Sequence, residues 1–204
     1  MYKEILDQFL NEYASESEIP TAAAIGHFVM KLETTKSVDE LKEIMHKEIL
    51  EDQPEREKEI TKEIAMFKAF TTGEQVVKAM RGKFDVLSRS ALLEIAIELE
   101  HEVVPEVVRR LKTNLQDTFI EAAAMLLVKT SINVSEELIA YFDEVKNPFA
   151  KSTILLVLGF RAEEKHIPWV MEKYHEMKKT YRSEVFHEGA YYGLAEMYER
   201  FYSE

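Results

Sequence analysis

Cysteine is absent from this 204-residue sequence, and glycine and proline are scarce, with 6 and 5 residues. The absence of cysteine excludes disulfide bonds, thiolate metal sites and a cysteine nucleophile, and it is compatible with a reducing compartment. The scarcity of glycine and proline disfavours a turn-rich all-β fold and favours long helices joined by short loops.

Long apolar runs are also missing from the sequence. No stretch approaches the roughly 20 apolar residues that a membrane span needs. The N-terminus has no basic start followed by an apolar segment, which a secretory signal would have. We therefore expect a cytoplasmic protein with no membrane partner.

Acidic residues outnumber basic residues by 38 to 26, which gives a formal net charge of −12. A field of this sign repels phosphate backbones and weakens non-specific binding of nucleic acid. Only a local basic patch would override this repulsion. The charge balance therefore disfavours nucleic acid as a partner, and it also aids solubility.

Apolar residues recur at a fixed spacing of 31 residues through most of the chain. One ladder of adjacent residues consists of Val76/Val77, Val107/Val108, Leu138/Ile139 and Trp169/Val170. A second ladder consists of Ile64/Ala65, Ile95/Ala96, Leu126/Leu127 and Val157/Leu158. Two ladders with one period are typical of helix–turn–helix repeats, because stacked pairs bury each other's apolar stripes. We therefore predict an all-α fold built from repeats of about 31 residues.

Capping signals predict where the helices of each repeat begin. Gly73 and Ser135 are predicted N-caps of second helices, and Pro105 is placed in a first turn, where its missing N–H costs nothing. Further start signals are a capping box at Thr118 and Glu121, another at Ser37 and Glu40, and an N-cap with proline at Asn147 and Pro148.

The two ends of the chain depart from the regular spacing. We expect one domain over 1–204, with atypical helices in 1–54, regular repeats in 55–182 and a C-terminal capping helix in 183–204. A leading helix over 2–14 would cover the N-terminal end of the array, and a further pair is expected near 20–34 and after Ser37. Atypical terminal units are expected because an end unit turns one face to water.

The segment from Asn147 to Val170 carries a family resemblance. Its first helix ends near Leu158-Gly159, an acidic loop follows at Glu163-Glu164, and the second helix begins near Pro168. This pattern resembles HEAT-like repeats of the short bacterial kind that also occurs in phycobilisome lyase proteins, and it extends over about 55–202. The resemblance implies a right-handed α-α superhelix, or α-solenoid, that most often binds proteins. It implies no reaction and no cofactor, since a fold does not determine a function.

Five residues are candidates for partner binding. Arg110 and Tyr141 are predicted at exposed positions of second helices, which commonly line the concave face of such an array. Trp169 takes a ladder position held by valine or leucine elsewhere, so we expect it to be buried; a partly exposed Trp169 would suit a binding hot spot. Tyr191 and Tyr198 share a helix face and form either an aromatic patch or a packed face with solvated hydroxyls.

No catalytic or metal-binding motif is found in the sequence. The six histidines include no HExxH pattern and no pair four residues apart, and there is no nucleophile elbow, P-loop or GxGxxG. The sequence favours a non-enzymatic binding or scaffold protein with a protein or peptide partner and no metal or cofactor. Two alternatives stay open: a HEAT-like DNA alkylation-repair glycosylase or other nucleic-acid-binding repeat protein, and a self-associating structural protein. The sequence leaves the oligomeric state open.

Overall fold

The computed structural model describes residues 2–13, 21–48 and 53–203, and every regular element within these ranges is a helix. The prediction of an all-α fold is confirmed. Helix boundaries predicted at residues 14 and 20 lie outside the described ranges.

The described ranges contain twelve α-helices. These are α1 (Tyr2–Glu12), α2 (Ala22–Thr35), α3 (Val38–Glu48), α4 (Pro54–Lys68), α5 (Gly73–Ala79), α6 (Val86–Glu98), α7 (Glu100–Leu111), α8 (Asp117–Lys129), α9 (Ser135–Tyr141), α10 (Pro148–Arg161), α11 (Ile167–Thr180) and α12 (Glu188–Tyr202). Short 3₁₀ turns at Phe142–Glu144 and Glu164–His166 follow α9 and precede α11.

Packing divides the chain into two compact units. Unit 1 comprises Met1–Val29 and Asn133–Glu204, and unit 2 comprises Met30–Ile132. The boundary falls within α2, so its first turns belong to unit 1 and its last turns to unit 2. The single domain expected over 1–204 stays a prediction.

Alternate helices pack against one another in unit 2. Helix α4 packs against α6, α6 against α8, and α5 against α7. Val76 and Val77 of α5 and Val107 and Val108 of α7 are at most 1% exposed. In α7 the buried residues are three and four positions apart, so one helix face is apolar while the opposite face carries charge.

A smaller apolar cluster connects α3, α4 and α6 through Leu41, Ile60 and Leu87. Ile64 of α4 packs at its edge and is half-buried. The next residue, Ala65, is exposed, so its predicted place among the buried ladder residues is wrong.

Helix α12 is the central packing element of unit 1. It contacts α10, α11 and α1, and Leu194 and Met197 on its inner face are fully buried. The first helix of the chain therefore packs on the last one. The expectation that α1 covers the N-terminal end of the array is wrong, and the predicted C-terminal helix begins at Glu188 instead of 183.

Two predicted start signals are confirmed. The Asn147 side chain accepts a hydrogen bond from the Phe149 N–H at 2.9 Å, with Pro148 in the first turn of α10. Ser37 and Glu40 form a reciprocal capping box, with the Ser37 N–H at 2.8 Å from Glu40 Oε2 and the Glu40 N–H at 3.2 Å from Ser37 Oγ. Both signals work because they satisfy N–H groups that a helix start leaves unpaired.

Two predicted N-caps of second helices are wrong. Thr72, not Gly73, caps α5, and it forms a capping box with Gln75. At α9, the side-chain carbonyl of Asn133 accepts from the Ser135 N–H at 3.0 Å, while the Ser135 hydroxyl is buried. In each case a side chain one or two residues earlier satisfies the free N–H groups.

Two further start signals are also misplaced. Thr118 does not cap α8, because this helix begins at Asp117 and the Thr118 hydroxyl donates to the Arg81 carbonyl at 3.1 Å. Pro105 lies inside α7, since that helix already begins at Glu100. Leu99 both ends α6 and precedes α7, so no loop separates the two helices.

Candidate functional site

A basic groove lies at the C-terminal end of α7 in unit 2. Three arginines line it, namely Arg81 after α5 and Arg109 and Arg110 in the last turn of α7. The loop after α7 completes the groove with Thr113, Asn114, Leu115 and Gln116. The depression has a volume of about 580 Å³ and is open to solvent. None of the described residues that line it is acidic.

The amphipathic pattern of α7 places the two arginines on its solvent side. Val107, Val108 and Leu111 turn into the core and are at most 2% exposed. Arg109 and Arg110 therefore stay outside, with side chains 69% and 28% exposed. Positive charge in the last turn is also favoured by the negative end of the helix dipole.

One carboxylate fixes both arginines in position. Arg109 donates two hydrogen bonds of 2.7 Å to Glu106, and Arg110 donates one of 2.6 Å through Nε. Hydrogen bonds from Arg109 and Arg110 lower the pKa of Glu106 to about 2, so this group is ionised at neutral pH. Arg81 adds a third guanidinium group to the lining, so the groove keeps an excess of positive charge.

An apolar contact point lies beside the charges. Leu115 is 77% exposed, the largest exposed fraction of any large apolar side chain among the described residues. Thr113 and Gln116 supply polar groups next to it. An anionic ligand with an apolar neighbour matches this combination of arginines and leucine.

Arg110 is thus the predicted site residue that lies in a cavity. The prediction for Tyr141 is wrong, because this side chain is 3% exposed and burial raises its pKa. Tyr141 lies 31 residues after Arg110, and each follows a buried ladder residue by three positions, but only Tyr141 is covered. It is not available to a partner in this structure.

Trp169 is half-buried, whereas the sequence analysis expected burial. Its ring packs edge-on against Phe142 at 5.3 Å, and the Lys173 ammonium lies 5.7 Å from its centre. The wider indole does not fit completely where Val76 and Val107 are covered. Partial exposure is the condition given above for a binding hot spot, but Trp169 lies in unit 1 and outside the groove.

Tyr191 and Tyr198 are both half-buried on α12 in unit 1. Tyr198 forms a side-chain hydrogen bond with Asp7 of α1, which raises the Tyr198 pKa. The hydroxyl of the neighbouring Tyr202 donates to Glu164. The hydroxyls of Tyr198 and Tyr202 are thus hydrogen-bonded within unit 1, as in a packed helix, and this does not favour a patch for self-association.

Arg81 and Leu115 are groove residues that the sequence analysis missed. Both lie in the connections after α5 and α7, and they come together only because those two helices pack side by side. The available signal was the basic run at Arg81 and Lys83, which is followed by the basic cluster of α7 about one repeat later.

No group of three or more histidine, aspartate or glutamate side chains in the described ranges is arranged to hold a metal ion. Among the helices described, none combines the length and the apolar content required to cross a bilayer. Comparisons of this chain with protein-family models, characterised proteins and solved structures return no match.

Proposed function

We propose that this chain is a non-enzymatic binding protein whose stacked helix pairs form a right-handed superhelix and whose basic groove binds an acidic segment of a protein partner. One observation carries the proposal: Arg81, Arg109 and Arg110 line a single groove beside the exposed Leu115, on a chain of net charge −12.

The packing of unit 2 supports the stacked arrangement. Helices α4, α6 and α8 succeed one another as packed neighbours, and α5 packs on α7. Such a pattern is typical of repeat arrays, in which first helices form one layer and second helices another. The starts of α6, α8 and α10 at residues 86, 117 and 148 also agree with a 31-residue unit.

The chemistry of the groove supports an acidic partner. Arginine binds carboxylates through paired hydrogen bonds, as Arg109 already does with Glu106. The acidic remainder of the chain repels a uniformly acidic surface, so binding depends on local alignment at the groove. Contact of Leu115 with an apolar side chain of the partner contributes binding free energy, because the exposed area of Leu115 is then removed from water.

A direct test uses a fluorescent peptide of aspartate and glutamate residues with one leucine, followed by anisotropy. We expect Arg110→Ala and Arg81→Ala each to weaken binding by about tenfold, because each removes one charge-assisted contact. Arg182→Ala is the matched control, because Arg182 is exposed in unit 1 and lies outside the groove. Circular dichroism of each variant verifies that the helices are intact.

Two outcomes contradict the proposal. Peptide binding that is unchanged in both groove variants, or that is lost equally in the control variant, places the interaction elsewhere. Stronger binding of duplex DNA than of the peptide, with a steep decrease as salt rises, favours the nucleic-acid alternative.

A further inference from the structure

A second depression in unit 2 adjoins the basic groove and differs from it in chemistry. It is a cleft of about 460 Å³, bounded by the turn after α5, by α6 and by the start of α8. The hydrogen bond from Thr118 to the Arg81 carbonyl lies between the two, since Arg81 lines the groove and Thr118 lines the cleft. The volume falls within the range of small-molecule sites, about 300–1,000 Å³.

The inner part of the cleft is apolar. Met80 and Leu92 are 1% exposed and Ala122 is 4% exposed, so they form a rigid floor. Phe84 forms one wall and packs edge-on against Phe67, with ring centres 5.0 Å apart. Because this floor is almost completely covered, an apolar ligand body in the cleft would mainly contact the half-buried ring of Phe84.

Gly82 leaves room for the ring of Phe84. A Cβ atom at that position would lie 2.5 Å from the ring of Phe84, which is too close for two carbon atoms. A larger residue there would therefore push the ring of Phe84 away from its present position.

The mouth of the cleft carries two carboxylates on one side. Asp117 and Glu121 are four residues apart on α8 and so share a helix face. Desolvation raises the pKa of Glu121 above its ordinary value, and the charges of Asp117 and Glu33 raise it further. The side chains of Asp117 and Glu121 also reach solvent, so a cation can approach the two carboxylates from the mouth of the cleft.

The two cations that line the cleft, Arg89 and Lys83, do not neutralise the carboxylates of α8. Arg89 is held by Glu33, which is 1% exposed: its Nε donates at 3.1 Å and its Nη2 donates a second hydrogen bond. The guanidinium of Arg89 lowers the pKa of Glu121, but by less than desolvation raises it. Lys83 lies at the rim and is exposed to solvent.

We propose that this cleft binds a small organic cation, with an ammonium or amidinium group between Asp117 and Glu121 and an apolar body against the ring of Phe84. The cation supplies positive charge next to the two α8 carboxylates, and its apolar part covers the accessible side of the ring. An organic anion does not match the cleft, because Arg89 is directed to the buried Glu33 and the carboxylates of Asp117 and Glu121 repel it.

The experiment uses three probes of one shape in the full chain: benzylamine, benzyl alcohol and benzoate. Chemical-shift perturbation in NMR titrations gives the affinity and the location of each. We expect benzylamine to bind in the cleft with an affinity on the order of millimolar, as for other ligands of few atoms. The alcohol should bind more weakly because it has no charge, and benzoate should not bind.

Glu121→Gln is the decisive variant, because it keeps the shape of the side chain and removes the charge. We expect benzylamine to bind at least about tenfold more weakly. Circular dichroism and the urea midpoint of the variant verify that its fold is intact. A loss of binding therefore cannot be attributed to misfolding.

Glu98→Gln is the matched control, because Glu98 is an exposed glutamate at the end of α6 in the same unit. It should leave benzylamine binding unchanged, and so should the groove variant Arg110→Ala. The proposal is overturned if Glu121→Gln and Glu98→Gln weaken binding equally, if benzoate binds as well as benzylamine, or if the shifts map outside the cleft.

Discussion

Gly159 of α10 and Gly193 of α12 bring the backbones of these two helices into direct contact. A Cβ atom on Gly159 would overlap the Cα of Gly193, and a Cβ atom on Gly193 would overlap the carbonyl of Leu155. One turn earlier in α12, a Cβ atom on Gly189 would overlap the carbonyl of Ser152. Three glycines therefore permit a helix approach that side chains would prevent, and α12 owes its central position in unit 1 to it.

We predict that Gly193→Ala destabilises the protein. Alanine favours a helix by about 1 kcal/mol over glycine, but its methyl group forces α10 and α12 apart at a net cost of about 1–3 kcal/mol. Urea unfolding followed by circular dichroism measures the change. Gly26→Ala is the control: its Cβ would lie 3.8 Å from Leu156, an ordinary contact, so stability should rise. Equal gains in both variants would contradict the close approach.

Periodicity predicted the helices well because burial on one face follows directly from it. Val107 and Val108 are fully covered, as their spacing indicated. The contact of α1 with α12 was not predictable, since it depends on packing between the two ends of the sequence. The glycine contact was missed for the same reason: Gly159 was noted only as part of a Leu-Gly pattern, and its neighbour lies 34 positions further along the chain.

The candidate site was predicted only in part. Arg110 was placed at an exposed position of its helix, and its side chain is 28% exposed. Tyr141 was misplaced because it has the same register as Arg110, 31 residues later, yet its side chain is buried. Arg81 and Leu115 come from loops, and loops join a groove only after the helices have packed. Local sequence rules therefore locate single exposed residues more readily than the composition of a cavity.

The ion pair between Glu33 and Arg89 supports a second prediction. Glu33 is 1% exposed and connects α2 to α6. Replacing it with alanine leaves Arg89 without its partner, and we expect a loss of about 3–5 kcal/mol in the free energy of unfolding. Glu163→Ala breaks the exposed contact with Lys165 and should cost at most about 1 kcal/mol. Similar losses in the two variants would show that Glu33 does not stabilise the core.

Glu100 supports a prediction about pH. Hydrogen bonds from the Ser131 and Thr130 hydroxyls and the Ser131 N–H lower the pKa of Glu100 from 4.5 to about 2. A carboxyl with a lowered folded-state pKa stabilises the fold above its ordinary pKa, and the contribution is lost as pH falls through about 2. Glu100→Gln should therefore lower the urea midpoint at pH 7 and lower it less at about pH 3. A difference that does not depend on pH would contradict this assignment.

Pro105 supports the last prediction, because it distinguishes two starting points for α7. If the helix began near residue 104, as the repeat spacing suggests, the proline would occupy the first turn at no cost. Since α7 begins at Glu100, the ring of Pro105 removes a hydrogen bond to the carbonyl of His101. Pro105→Ala restores that bond, and we expect it to raise the free energy of unfolding by about 1–3 kcal/mol.

The matched control for this variant is Pro168→Ala. Pro168 occupies the first turn of α11, where no backbone donor is missing, so its replacement should give no gain. Urea unfolding of both variants, compared with the wild type, measures the difference. A gain at Pro105 alone supports the long α7, whose extra first turn carries Glu100 to its partners at the end of α8. Equal effects at both positions would indicate that α7 begins near residue 104, as the repeat spacing suggests. The contact of Glu100 with Ser131 would then need another explanation.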